Sequence, residues 1–128
     1  MSEKQKLLIV DDSELNRDIL KEILGSRYDY MEAENGTQAI QILEVHPEID
    51  LMLLDINMPQ MNGFQVLEHM RELQWIDEVP VVMISSEESV EIMRKAYDLG
   101  ITDYISRPFD AVIVKKRVQN TLGLYANQ

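Results

Sequence analysis

The chain has 128 residues, enough for one domain that buries about two-thirds of its unfolded surface and too few for two. Apolar residues make up 45% and charged residues 27%, a globular composition that excludes an intrinsically disordered chain. Against 12 basic residues stand 23 acidic ones, and the net charge of −11 argues against a nucleic-acid or anionic-membrane surface while permitting cations or a basic partner. Cysteine is absent, so no disulfide and no thiolate metal site can form, and a reducing, cytoplasmic setting is expected. The start, MSEKQK, is polar and leads into only four apolar residues, which is neither a signal peptide nor a membrane span.

Leu7 to Val10 is a short apolar run and reads as the first strand; it stops at Asp11-Asp12-Ser13, where capping residues open a helix. Leu15, Ile19, Leu20, Ile23 and Leu24 recur at helical spacing up to Gly25. Tyr28 to Ala33 is the second strand candidate. Asn35-Gly36 marks a turn, and Ala39, Ile40 and Leu43 give a second helix that ends before Pro47. Leu51 to Leu54 is a continuous apolar run ending at Asp55. Asn57 to Gly63 reads as a loop, and Phe64, Leu67 and Met70 begin the third helix. Val79 to Ile84 is another apolar strand, ending at Ser85-Ser86. Val90, Met93, Ala96 and Leu99 mark a fourth helix closed by Gly100, Tyr104-Ile105 a short strand, and Val114, Val118 and Leu122 a last helix. Strand and helix alternate five times, and strands apolar throughout indicate a parallel sheet covered on both faces, a doubly wound α/β domain.

In such sheets ligands bind beyond the carboxyl ends of the strands, where the strand order reverses. Asp11, Asp12, Asp55, Ser85 and Arg107 all fall at strand ends. Three carboxylates on one rim repel one another, and a hard divalent cation relieves this. A hydroxyl and a cationic side chain beside them suit a bound phosphoryl group, with Asp55 as the nucleophile. Each aspartate alone is as well explained as a helix cap or a solvated loop residue. The agreement of four strand ends carries the reading.

The motifs LIVDDS (8–13), LMLLDINMPQMNG (51–63), VPVVMISS (79–86) and DYISRPF (103–109) resemble those of bacterial response-regulator receiver domains, from Leu7 to about Leu124. The resemblance implies a flavodoxin-like sheet of order 2-1-3-4-5 with five helices, as one receiver domain over residues 1–128. It implies that Asp55 takes a phosphoryl group from the phosphohistidine of a sensor histidine kinase or phosphotransfer protein, with Mg²⁺ required. Asp12 would hold Mg²⁺ directly, Asp11 largely through water, and Asn57 by its backbone carbonyl. Ser85 stands at the switch hydroxyl and Tyr104 at the switch aromatic. Asn57 and Glu87 stand two residues after Asp55 and Ser85, where side chains flank the phosphoryl group and tune its removal by water. The domain would catalyse its own phosphorylation and dephosphorylation rather than turn over a metabolite.

Arg107 departs from the family, which places lysine before this proline. A guanidinium is a broad planar fork and an ammonium a compact point charge. Arg107 is expected to grip phosphoryl oxygens in the active state and, before that, to turn toward solvent or a neighbouring acid; a resting ion pair with Asp55 is the competing expectation. The family's bond before the proline is cis, and Arg107-Pro108 is expected to follow. His46 and His69 read as surface residues, Trp75 as a packing anchor, and Glu87-Glu88 also as favourable charge at a helix start.

Three other readings compete. A haloacid-dehalogenase-type phosphatase expects an acid where Asn57 stands, and a flavodoxin-like flavin module expects a phosphate loop where Asp11-Asp12 would repel. An atypical receiver switching without phosphate is opposed by the intact acidic triad. The ending RVQNTLGLYANQ resembles the helix that leads receivers into output domains, and the SRPF motif is similar to receivers attached to cyclic-dinucleotide enzymes. An output domain after residue 128 is therefore expected, against a stand-alone receiver. A homodimer through the fourth helix, fifth strand and fifth helix is also expected, with no nucleic-acid or membrane contact.

Overall fold

The structure, a computed structural model, describes residues 4–58, 61–86 and 89–126. Strands and helices alternate as β1 (Lys6–Val10), α1 (Glu14–Leu24), β2 (Asp29–Ala33), α2 (Gly36–Val45), β3 (Leu51–Asp55), α3 (Gly63–Glu72), β4 (Val81–Ser85), α4 (Val90–Leu99), β5 (Asp103–Ser106) and α5 (Ala111–Ala126). All pairings are parallel, in the order β2-β1-β3-β4-β5. The order reverses between β1 and β3, and that is where their carboxyl ends bring Asp11 and Asp55 together.

Both faces of the central strands are buried because successive residues point to opposite sides. Leu8, Val10, Met52, Leu54, Val81 and Met83 pack with Ala39 and Leu43 of α2, Val66, Leu67 and Met70 of α3, and Ala96 of α4. Leu7, Ile9, Leu51, Leu53, Val82 and Ile84 pack with Leu20 and Leu24 of α1 and Val114, Val118 and Leu122 of α5. The edge strands are less covered: β2 buries only Ala33 fully and β5 only Ile105.

Local chemistry sets the element ends. Ser13 caps α1 by accepting from the Asn16 N–H, while Asn62 and Gln65 form a reciprocal capping box on α3. α4 ends at Gly100 in the left-handed region (φ 110°), which a residue with a Cβ enters only under strain. β4 starts at Val81 rather than Val79, because the Val79 N–H donates to the Trp75 carbonyl and Pro80 has no N–H to offer. β2 starts at Asp29, whose N–H joins the Gln5 carbonyl, with Tyr28 as the preceding cap.

Two residues read as core-facing are not. Leu15 is 68% exposed, because the buried stripe of α1 runs through Arg17, Leu20 and Leu24 and position 15 lies on the far side of a 3.6-residue turn. Val90 is 62% exposed, because Ala96 sets the buried face of α4. Trp75 packs against the α2–α3–α4 side of the core as expected, with His69 edge-on to its ring. No described helix is long and apolar enough to cross a membrane.

Candidate functional site

Carboxylate oxygens of Asp11, Asp12 and Asp55 lie within 4.8 Å of one another at the carboxyl edge of the sheet. Asp11 and Asp55 are buried and Asp12 is exposed, so the cluster opens to solvent on one side. Asp11 is held on every polar atom of its backbone and carboxylate. Its N–H donates to the Ala33 carbonyl (3.1 Å), and its carbonyl accepts from Nη1 of Arg17 (2.6 Å). Its Oδ1 accepts the Ser13 N–H (2.9 Å) and its Oδ2 accepts Nη2 of Arg107 (2.6 Å).

Asp55 ends β3. Its Oδ1 accepts the Asn57 N–H at 3.0 Å, and its Oδ2 lies 3.2 Å from Nη2 of Arg107. Burial pushes the Asp55 carboxyl above the ordinary carboxylate range; the Asn57 N–H opposes this, the Asp11 charge adds to it, and Arg107 opposes it again. For Arg107, burial acts to weaken its hold on the proton, but pairing with Asp55 and Asp11 outweighs that and strengthens it.

Arg107 is anchored from the backbone as well. Its N–H donates to the carbonyl of Ser85, the buried last residue of β4, and the peptide bond to Pro108 is cis as expected. The guanidinium therefore contacts two acids, Asp55 and the neighbouring Asp11, rather than turning to solvent. Its Nε is buried and has no acceptor among the described residues.

Tyr104 is half-buried in β5, beside Met83 of β4, and Arg117 of α5 lies over its ring at 5.1 Å while bonding Asp103 at 2.7 Å. Asn57 is exposed immediately beyond Asp55. Glu87 and Glu88 lie outside the described residues. His46 and His69 are half-buried, His46 capping the end of α2, and neither reaches the acidic cluster.

Sequence reasoning missed Arg17 and Glu32. The signal was a charged residue on the apolar stripe of α1: Arg17 is 7% exposed, bonded to Glu32 of β2 at 2.9 Å and to Asp11.

The doubly wound parallel sheet, with an acidic triad and a cation at its switch point, defines a receiver-type signalling module. The chain belongs to the response regulator receiver domain family, whose model matches residues 7–119. It is 35% identical over 120 residues to the chemotaxis protein CheY1 of Helicobacter pylori, covering 92% of this chain and 97% of that protein. It is 34% identical to a probable cyclic di-GMP phosphodiesterase of Vibrio cholerae, covering 91% of this chain but 26% of that protein. Chemotaxis protein CheY4 of Vibrio cholerae superposes with a TM-score of 0.85 at 27% identity, over 93% of this chain and 99% of that one. The chain is a phosphorylation-switched signalling receiver of the two-component kind.

Proposed function

We propose that Asp55 is the phosphoacceptor, and that the donor is the phosphohistidine of a sensor kinase or phosphotransfer protein. A carboxylate oxygen of Asp55 attacks phosphorus, the P–N bond to the donor imidazole breaks, and an acyl phosphate forms. The observation that carries this is the buried Asp55 at the strand end, within the carboxylate cluster and in contact with Arg107.

The donor set fits Mg²⁺. The ligands are hard oxygens, and three carboxylates face one guanidinium, leaving two negative charges for a divalent cation to neutralise. Asp12, Asp55 and the Asn57 carbonyl would hold it directly, and Asp11 largely through water. Bound there, Mg²⁺ supplies charge neutralisation for the phosphoryl oxygens. The protein's own part is positioning. The Asn57 N–H fixes one Asp55 oxygen and Arg107 offers a cation to the arriving group, while Ser85 and Tyr104 would respond to the added charge by reorienting and so bias the α4–β5–α5 face. The domain thereby catalyses its own phosphorylation, and water later removes the group.

That face exposes Val90 and Tyr97 of α4 and Ile113 of α5, which supports a second copy docking there in the phosphorylated state. An output domain beyond residue 128 is the other reading of how the signal leaves, supported by the Vibrio cholerae relative in which the matched segment is a quarter of the protein.

The test is intact-mass analysis after incubation with a small-molecule phosphodonor and Mg²⁺. Wild type gains one phosphoryl group and Asp55→Asn gains none. Undiminished phosphorylation of Asp55→Asn, with reversion to Asp excluded, overturns the assignment.

A further inference from the structure

We propose that Arg17, held by Glu32, is a positioning residue for the divalent-cation site, setting how the Asp11–Asp12 peptide presents the Asp12 carboxylate. The inference rests on the metal reading of the Asp11–Asp12–Asp55 cluster given above.

Arg17 occupies a core-facing position of α1 in line with Leu20 and Leu24, where a leucine would pack without any need for partners. A guanidinium there is tolerated only when its charge and N–H groups are satisfied. Its Nε donates to Oε1 of Glu32 at 2.9 Å and its Nη1 to the Asp11 carbonyl at 2.6 Å. Glu32 is itself fixed from two sides. It lies beside Ile9 in the β1–β2 register, and Lys21 holds its second oxygen at 2.9 Å. Lys21 and Arg17 together hold the Glu32 carboxyl below the usual carboxylate range, Lys21 contributing more, so it remains charged at neutral pH.

The chain of contacts ends on the first residue of the acidic cluster. The Asp11 carbonyl and the Asp12 N–H share one planar peptide, so fixing the carbonyl fixes the direction from which the Asp12 side chain departs. The Ala33 carbonyl secures the other side of Asp11. Asp12 is the exposed member of the cluster and gains most from a pinned backbone. Outer partners of this kind orient metal ligands, and their loss weakens metal binding about 10- to 100-fold.

Charge and positioning predict opposite signs. Removing a cation beside three carboxylates tightens Mg²⁺ binding if charge alone matters, and loosens it if the cation orients a ligand.

The experiment is calorimetric titration of the chelator-treated full chain with Mg²⁺, together with urea unfolding, for wild type, Asp12→Ala, Arg17→Met, Arg17→Lys and Lys21→Met. Arg17→Met is expected to weaken Mg²⁺ binding about tenfold per folded molecule. Arg17→Lys should weaken it less. Lys21→Met, which removes a Glu32 partner but leaves the Asp11 contact, should fall well short of that tenfold loss. Tightened or unchanged Mg²⁺ affinity in Arg17→Met, whatever its stability, overturns the inference. Where Arg17→Met does not fold, Arg17→Lys and Glu32→Gln decide by the same sign. Equal binding by wild type and Asp12→Ala would instead overturn the metal reading on which the inference rests.

Discussion

Nη2 of Arg107 lies 2.6 Å from Oδ2 of Asp11 and so carries a cation from the loop after β5 across the sheet to the end of β1. The same nitrogen reaches Asp55 at 3.2 Å. The guanidinium thus occupies carboxylate oxygens that a divalent cation would claim. It does so imperfectly, since its buried Nε has no acceptor among the described residues, an omission that costs about 1–3 kcal/mol.

Arg107→Ala is therefore expected to bind Mg²⁺ more tightly than wild type, by about tenfold, equivalent to about 1.4 kcal/mol. Calorimetry at fixed ionic strength measures it. The variant should still be phosphorylated at Asp55, but the amide chemical-shift change at Tyr104 on phosphorylation should be blunted. Unchanged Mg²⁺ affinity together with an unchanged Tyr104 response would make Arg107 a bystander.

Mg²⁺ should stabilise the fold at neutral pH. Binding to the native state alone adds RT ln(1 + [L]/Kd), about 1.4 kcal/mol at ten times Kd. Thermal melts with and without millimolar Mg²⁺ read this out, and Asp12→Ala should lose most of the shift. An equal response in both proteins would indicate ordinary surface binding.

Asp55 should make stability fall as pH rises. Its carboxyl is raised in the folded state, chiefly by burial, so the native protein binds that proton more tightly than the unfolded chain does. The cost is absent below the ordinary carboxylate range, grows between that range and the raised value, and is fully present above it. In the presence of a chelator, Asp55→Asn should melt higher than wild type at pH 7, and the difference should close on acidification. A lower melting temperature for Asp55→Asn at pH 7 would show that its pairing with Arg107 outweighs the burial.

Gly36 tests a packing constraint beside the site. Helix propensity alone makes alanine better than glycine by up to about 1 kcal/mol. A Cβ at position 36, however, would stand 2.5 Å from the Met61 carbonyl oxygen and 2.7 Å from the Met61 Cβ and Val66 Cγ2. Backbone cannot yield as a side chain tip can, so Gly36→Ala should destabilise by about 1–3 kcal/mol in urea unfolding. A stabilised variant would show that the loop after Asp55 gives way freely.

The alternation of five strands and five helices and the site-bearing strand ends were legible in the sequence, because each depends on local signals, whereas the cis bond before Pro108 came with the family resemblance. Apolar runs of strand length, capping residues and a motif with fixed spacing do not need distant neighbours to be read. The strand order came with the family resemblance rather than from periodicity, since pairing between β1 and β3 joins residues more than a helix apart. Tertiary structure alone decided which apolar residues are buried. Leu15 and Val90 carry the right chemistry for a core, but α1 turns the face of Arg17, Leu20 and Leu24 inward and α4 the face of Ala96, which leaves both outside. It alone decided that Arg107 rests on Asp11 as well as Asp55, because that distance depends on how β1, β3, β4 and β5 are set side by side. It also turned Arg17 from an anomaly on an apolar stripe into a bridge from Glu32 to Asp11. A buried charge has no meaning in sequence until the fold supplies the partner that makes its burial affordable.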